Sequence, residues 1–169
     1  MISSTMQEAL TEQLNREFHS AYLYLGMSAH CSHHDFNGAA QWMMMQYQEE
    51  QLHANKIYNY LIDQGVQVAL AEIAKPPSDF GSLIEVFKAS LDHEQQMTSH
   101  LNEISDHALK EKDHASYNLL QWFVNEQVEE EATVSGVIAK LNIVGHDGYG
   151  LLMIDNELGA RSAVSLDNV

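Results

Sequence analysis

The sequence predicts an all-α chain: a four-helix bundle with one long crossover and a short fifth helix at the C-terminal end. Three observations carry this. Four long stretches repeat their apolar residues at alternating spacings of four and three, the seam of packed helices. The only two prolines, Pro76 and Pro77, are adjacent, so helices of many turns are permitted on both sides of them. The connections between segments one and two and between three and four are short, which makes antiparallel neighbours, whereas residues 66–81 form a connection that is long by the standard of bundles. A link of that length carries the chain along the bundle, so that helices two and three run parallel.

The first helix is expected from about Ser4 to about His33, with Thr5-Met6-Gln7-Glu8 in the form of a capping box near its start. The second runs from about Gly38 to Gly65, and Gly65 suits a C-terminal cap. The stretch VQVALAEIAKPPSDFG then reads as extended or irregular. Ser82-Leu83-Ile84-Glu85 is a second capping box and opens the third helix, to about Lys110. Asp113 starts the fourth, which ends near Gly145. Asp147 to Leu158 forms a short fifth helix that the bundle does not need and that would serve assembly. The tail 162–169, SAVSLDNV, reads as frayed. Residues 1–169 are read as one domain, with the bundle over 4–145.

Composition narrows the function. Of 169 residues, 24 are acidic and 8 are Lys or Arg, a net charge of −16. There is no basic stripe, so neither nucleic acid nor an anionic membrane is an expected partner. A strong negative field favours metal cations, or simply keeps the chain soluble. No stretch approaches the ~20 apolar residues that span a membrane. The start MISSTMQEAL lacks the basic patch and apolar run of a signal peptide. Cys31 is the single cysteine, which excludes an internal disulfide and fits a reducing, cytoplasmic setting.

The four seams hold the chemistry. Helix one presents Leu10, Leu14, Glu17, Ala21, Tyr24 and Ser28. Helix two presents Ala40, Met43, Tyr47, Glu50, Ala54, Ile57 and Leu61. Helix three presents Leu83, Phe87, Ser90, Glu94, Met97, Leu101, Ile104 and Ala108. Helix four presents Leu120, Phe123, Gln127, Glu130, Val134, Val137 and Leu141. Each seam carries one glutamate near mid-helix. A lone buried carboxylate is costly unless paired or neutralised, and four converging ones repel each other. Such a site holds protons until cations replace them. Hard oxygen donors with an imidazole suit iron or manganese, and zinc is also accepted. Glu50 and His53 stand at i and i+3, neighbours on one helix face. Glu-x-x-His with single glutamates on other bundle helices is the di-iron carboxylate pattern.

Each residue also has a plain reading. Glu17 and Glu94 would be solvated in another helical phase, and Glu50 with His53 would be a structural ion pair. In the run Glu129-Glu130-Glu131 only Glu130 lies in the seam, the rest reading as a solvated face. Met43-Met44-Met45 reads as space filling. The remaining histidines, His33 and His34 among them, read as surface residues.

The chain resembles the bacterial non-haem ferritins over nearly its whole length. The resemblance rests on Glu17 with Tyr24 in NREFHSAYLYL, on QEEQLH at 48–53, HEQ at 93–95 and LQWFVNEQVEEE at 120–131. It implies a ferritin-like bundle and an iron-storage protein with ferroxidase activity. Such a protein oxidises Fe(II) with dioxygen or hydrogen peroxide and deposits Fe(III) inside a hollow shell of 24 subunits. By the same resemblance Glu17, Glu50 and His53 hold a first iron, and Glu94 and Glu130 hold a second, with Glu50 bridging. Gln127 sits beside the pair and orients water or oxygen. Glu49, Glu126, Glu129 and Glu130 match a third iron site. Tyr24 matches a tyrosine that hydrogen-bonds near the centre and supplies an electron, and Trp122 is a second redox candidate.

Two departures shape the expectation. Where other di-iron proteins repeat Glu-x-x-His on the fourth helix, this chain has Gln127-x-x-Glu130, so the second iron lacks an imidazole and is held as in transit. The methionine that ligates haem in bacterioferritins is replaced by Gln51, so no haem is expected. The competing readings are a di-iron oxidase or peroxidase that retains its metals, and a non-catalytic metal-buffering bundle.

Overall fold

The computed structural model describes residues 2–161. They form five helices: α1 Ser4–His33, α2 Asn37–Asp63, α3 Leu83–Glu111, α4 His114–Val144 and α5 Gly148–Gly159. The tail expected to fray, 162–169, lies outside the described residues.

The caps explain most of the boundaries. Asp113 accepts a hydrogen bond from the Ser116 amide at the start of α4 (3.1 Å), and Asp147 accepts from the Gly150 amide at the start of α5 (2.8 Å). The Ser82–Glu85 capping box opens α3. Gly65, with φ +76°, turns the chain out of α2 in the left-handed region that glycine tolerates best. The box expected at Thr5–Glu8 does not form. The backbone is extended at Ser3, and its hydroxyl takes the Met6 amide at 3.1 Å, so Thr5 is already inside the first turn.

α1 packs against α2, and α3 against α4. The crossover between the two pairs can be followed along α1. Asn15 accepts from the Ala71 amide and donates to the Ala69 carbonyl (2.8 and 3.3 Å). Further on, the Pro76 ring lies so close to Gly26 that an added Cβ there would stand 3.2 Å from it. His30 Nε2 then donates to the Gly81 carbonyl (2.9 Å). From position 15 to position 30 is ~22 Å of helix. The link therefore returns the chain to the end where α2 began, and α3 runs parallel to α2.

His30, expected at the surface, is buried at 6% exposure because the crossover closes over it. His93 is likewise half-buried, with its Nε2 2.7 Å from the Ser20 hydroxyl.

The core is divided in two. One cluster joins Met6, Leu10 and Leu14 to Ile57, Leu61, Leu101, Leu120 and Phe123. The other joins Tyr24, Met27 and Met43 to Phe87, Val134, Leu141 and the α5 residues Ile154 and Leu158. Burying each such side chain contributes roughly 1.5–3 kcal/mol. Between the clusters lies a layer at mid-height made of the four seam glutamates. These two apolar plugs hold that polar layer away from bulk water.

Candidate metal centre

The seam assignment is met at each chemical position. Glu17 and Glu50 are 2% exposed, His53 2%, Glu94 0%, Gln127 4% and Glu130 7%. Two triads share one member. Glu17, Glu50 and His53 bring one donor atom each within 4.8 Å of one another, and so do Glu50, Glu94 and Glu130. The helical period explains each contribution. Residues 17, 50, 94 and 130 point inward because the apolar residues four and three positions away do. His53 Nδ1 stands 3.7 Å from Glu50 Oε2, one turn along α2.

Neighbouring side chains aim the carboxylates. Gln13 donates through Nε2 to Glu17 Oε1 at 2.8 Å. The Tyr24 hydroxyl donates to Glu94 Oε1 and is 3.0 Å from the Ser90 hydroxyl. Gln127 Nε2 donates to Glu94 Oε2 at 3.0 Å and also to the Glu94 carbonyl at 3.1 Å. Gln127 thus orients a carboxylate of the second triad. The His53 ring is boxed edge-on by Trp122 and Phe123, with ring centres 5.4 and 5.8 Å away. Lys56 caps the Trp122 face at 4.2 Å.

The electrostatics fit a dication site. Burial pushes the Glu17 carboxyl up to about 7, offset partly by the Gln13 hydrogen bond. Glu50 and Glu130 are raised well above the carboxylate range, first by burial and then by the other carboxylates. Glu94 is raised by burial, against the hydrogen bonds from Tyr24 and Gln127. His53 is lowered to about 4, first by burial and then by the Lys56 charge, so its imidazole is neutral and free to ligate. Both oxygens of Glu130 are buried without a hydrogen-bond partner. A carboxylate in that position is costly unless a cation takes its lone pairs. The donor set of oxygens and one nitrogen suits iron.

Glu49, Glu126, Glu129 and Glu130 line one cavity of about 80 Å³ beside this centre. Glu49 and Glu126 are half-buried and Glu129 is exposed. Burial raises both Glu49 and Glu126. Among the described residues, only the two triads bring three donor atoms within 4.8 Å of one another, so these four glutamates line a common space without converging as tightly. Arg161 also lines this cavity and bonds Glu49. Neither Arg161 nor the Ser90 contact was foreseen from the sequence. Gln13, one turn before Glu17, was within reach of its spacing.

Comparison with known proteins agrees with the geometry. The ferritin-like domain family matches residues 7–144. A Haemophilus influenzae protein described as "Probable bacterial non-heme ferritin-like protein" is 40% identical over 162 residues, which span 96% of this chain and 98% of that one. A bacterial non-heme ferritin of Staphylococcus aureus is 38% identical over the same length and shares. The open pore ferritin of the hyperthermophilic archaeon Archaeoglobus fulgidus superposes with a TM-score of 0.95 at 41% identity, covering 96% of this chain and all of that one. A five-helix chain with a crossover and a carboxylate–histidine layer at mid-height, matched over nearly its whole length in these ways, belongs to the ferritin family, iron-storage proteins with ferroxidase activity.

Proposed function

We propose that the buried layer is the ferroxidase centre of this ferritin, with Glu17, Glu50 and His53 around one Fe(II) and Glu50, Glu94 and Glu130 around the other. The observation that carries this reading is the sharing of Glu50 between two triads, because one carboxylate with two oxygens can join two ions. Two Fe(II) entering the layer displace the protons that the raised carboxyls hold. Each iron gives one electron to dioxygen, which takes up two protons and leaves as hydrogen peroxide. Added peroxide serves as an alternative oxidant. Gln127 keeps Glu94 oriented, and Tyr24, whose hydroxyl is raised well above its usual range chiefly by burial, stays protonated on Glu94. Tyr24 and Trp122 are the nearby side chains able to supply a further electron.

The asymmetry of the donors bears on storage. One position has an imidazole and the other has oxygen only, so the second iron is held less tightly and Fe(III) moves on. Glu49, Glu126, Glu129 and Glu130 take a third iron on that route. The Fe(III) then collects as mineral in a shell built from copies of this chain, 24 in the expected form. Tyr149, Leu152 and Met153 on α5 are more than half exposed, which supports burial against neighbouring copies. No helix among the described residues is long and apolar enough to cross a membrane, and a cytoplasmic setting is the reading we adopt.

Oxygen uptake on adding Fe(II) tests the centre. Loss of an outer partner already lowers affinity or activity by ~10–100-fold at metal sites. Removal of a ligand by Glu50→Ala or His53→Ala should therefore slow fast oxidation by about 100-fold or more. Unchanged rates in both variants would reject the assignment. Metals retained at a fixed low stoichiometry, with no mineral, would point to a di-iron oxidase instead.

A further inference from the structure

The chain has two arginines, Arg16 and Arg161. Arg161 follows α5 and reaches across to α2. Its Nη2 donates to Glu49 Oε2 at 2.7 Å, and its Nη1 donates to Gln46 Oε1. Its guanidinium lies over the Trp42 ring, 4.7 Å from the ring centre. The side chain is 23% exposed, against 12% for Glu49. The cavity it enters is the one lined by Glu126, Glu129 and Glu130. In that same cavity wall Glu130 is 7% exposed and has no partner for either oxygen, and the Gln46 amide nitrogen is also unpartnered. With four glutamates in its wall and both Glu130 oxygens unpartnered, the cavity is short of positive charge, and Arg161 is the one cationic side chain that lines it.

We propose that Arg161 is a built-in competitor for the third iron position: its guanidinium holds Glu49 and Gln46, and a divalent ion must displace it before that position fills. This rests on the reading of Glu49, Glu126, Glu129 and Glu130 as a third iron site. Two features favour competition over simple structural pairing. The guanidinium uses Glu49, a carboxylate the ion would need. It stops short of Glu126, Glu129 and Glu130, which stay available as the entering ligands. Trp42 gives the planar cation a face to stack on, so it is held in place by stacking as well as by charge. Exchange is balanced: the ion gains Glu49 and the Gln46 oxygen, and the freed guanidinium goes to solvent. Because Arg161 stands two residues after the end of α5, filling of the third position is linked to the seating of α5.

Calorimetric titration with Zn(II), with no oxidation possible, tests this on the assembled apo-protein. The wild type should take two ions per chain tightly and a third weakly. Arg161→Gln should tighten the third ion by about tenfold and leave the first two unchanged, the loss of one charge-assisted hydrogen bond being of that order. Arg161→Lys, which keeps the charge without the fork, should fall between them. Adding Glu126→Gln and Glu129→Gln to Arg161→Gln should remove the third ion. A third ion that binds alike in wild type and Arg161→Gln, yet is lost with Glu126 and Glu129, would overturn the role of Arg161 and leave the third site standing. No third ion in any of these proteins would overturn both.

Discussion

Glu17 shows what a single buried carboxyl does to this protein. Its folded value of about 7 lies above the ordinary 4.5. The folded state therefore binds the extra proton between those values, and its stability contribution is complete below about 4.5 and lost as pH rises through about 7. Metal-free protein should thus weaken toward neutral pH on account of this group, by up to about 3 kcal/mol. His53 acts in the opposite sense. Its value is lowered from 6.5 to about 4, so its contribution is present above 6.5 and lost as pH falls toward 4. Glu17→Gln leaves His53 in place, so the difference between variant and wild type reports the Glu17 carboxyl together with Glu50, to which it is hydrogen-bonded. The variant should match wild type near pH 4 and exceed it at pH 7.5. Thermal unfolding of both metal-free proteins across that range checks the sign.

At the level of elements, the seating of α5 on α2 is the least local contact. The N-terminus of α2 has no capping side chain of its own, since Phe36 occupies that position. Asp155 of α5 fills the role, accepting from the Gly38 and Ala39 amides at 3.0 and 2.8 Å. A carboxylate there also meets the positive end of the helix dipole. The backbones approach so closely that a Cβ on Gly38 would lie 1.7 Å from the Asp155 carbonyl oxygen. Gly38→Ala should force α5 off its seat, at a cost of ~1–3 kcal/mol from overpacking. Hydrogen exchange should quicken in α5 and in the first turn of α2, while α3 stays protected. Equal protection of α5 in the variant would show that the approach is looser than it looks. If Arg161 is the competitor proposed above, the same variant should also loosen its hold on Glu49.

For the whole molecule, the charge of −16 and the divided core work together. The two apolar clusters fix the carboxylate layer, and the acidic surface raises the local concentration of cations. That steering acts between exposed charges and is screened over ~10 Å at 0.1 M salt. Fe(II) uptake should therefore slow as salt is raised, whereas Zn(II) already in the buried layer should stay bound. The assembly reading makes its own prediction. A shell of 24 copies of a 19.0 kDa chain weighs about 460 kDa before iron. Mass photometry or light scattering should find that species and show it gain mass with iron at constant outer size. A dimer that gains no mass would reject storage in a shell.

Much of this protein is legible in one dimension. Helix period placed Glu17, Glu50, Glu94 and Glu130 on the same inward stripes as Leu14, Ala54, Met97 and Phe123, and all eight are buried. Caps at Ser82, Asp113 and Asp147 are local, because their partners lie three residues on. Ser3 displaced the Thr5 cap because where the chain enters α1 depends on one backbone angle that residue type alone leaves open. Apart from His53, the histidines read as surface residues by type, yet His30 is covered by a crossover that meets it 51 positions later. Period says which face of a helix turns inward. It is silent on how far each helix is shifted along the bundle axis, and that shift decides whether four glutamates meet in one layer or lie at four heights. Asp155 on the α2 amides and Arg161 on Glu49, separated by 116 and 112 positions, belong to the same class. Which residue types are buried, and which of them could ligate a metal, was determined by the sequence alone, through local geometry. The distances that let Glu50 belong to both triads, the cap from α5 and the arginine in the acidic cavity were decided only by the tertiary packing, because helix offsets and crossings set them and no local spacing does.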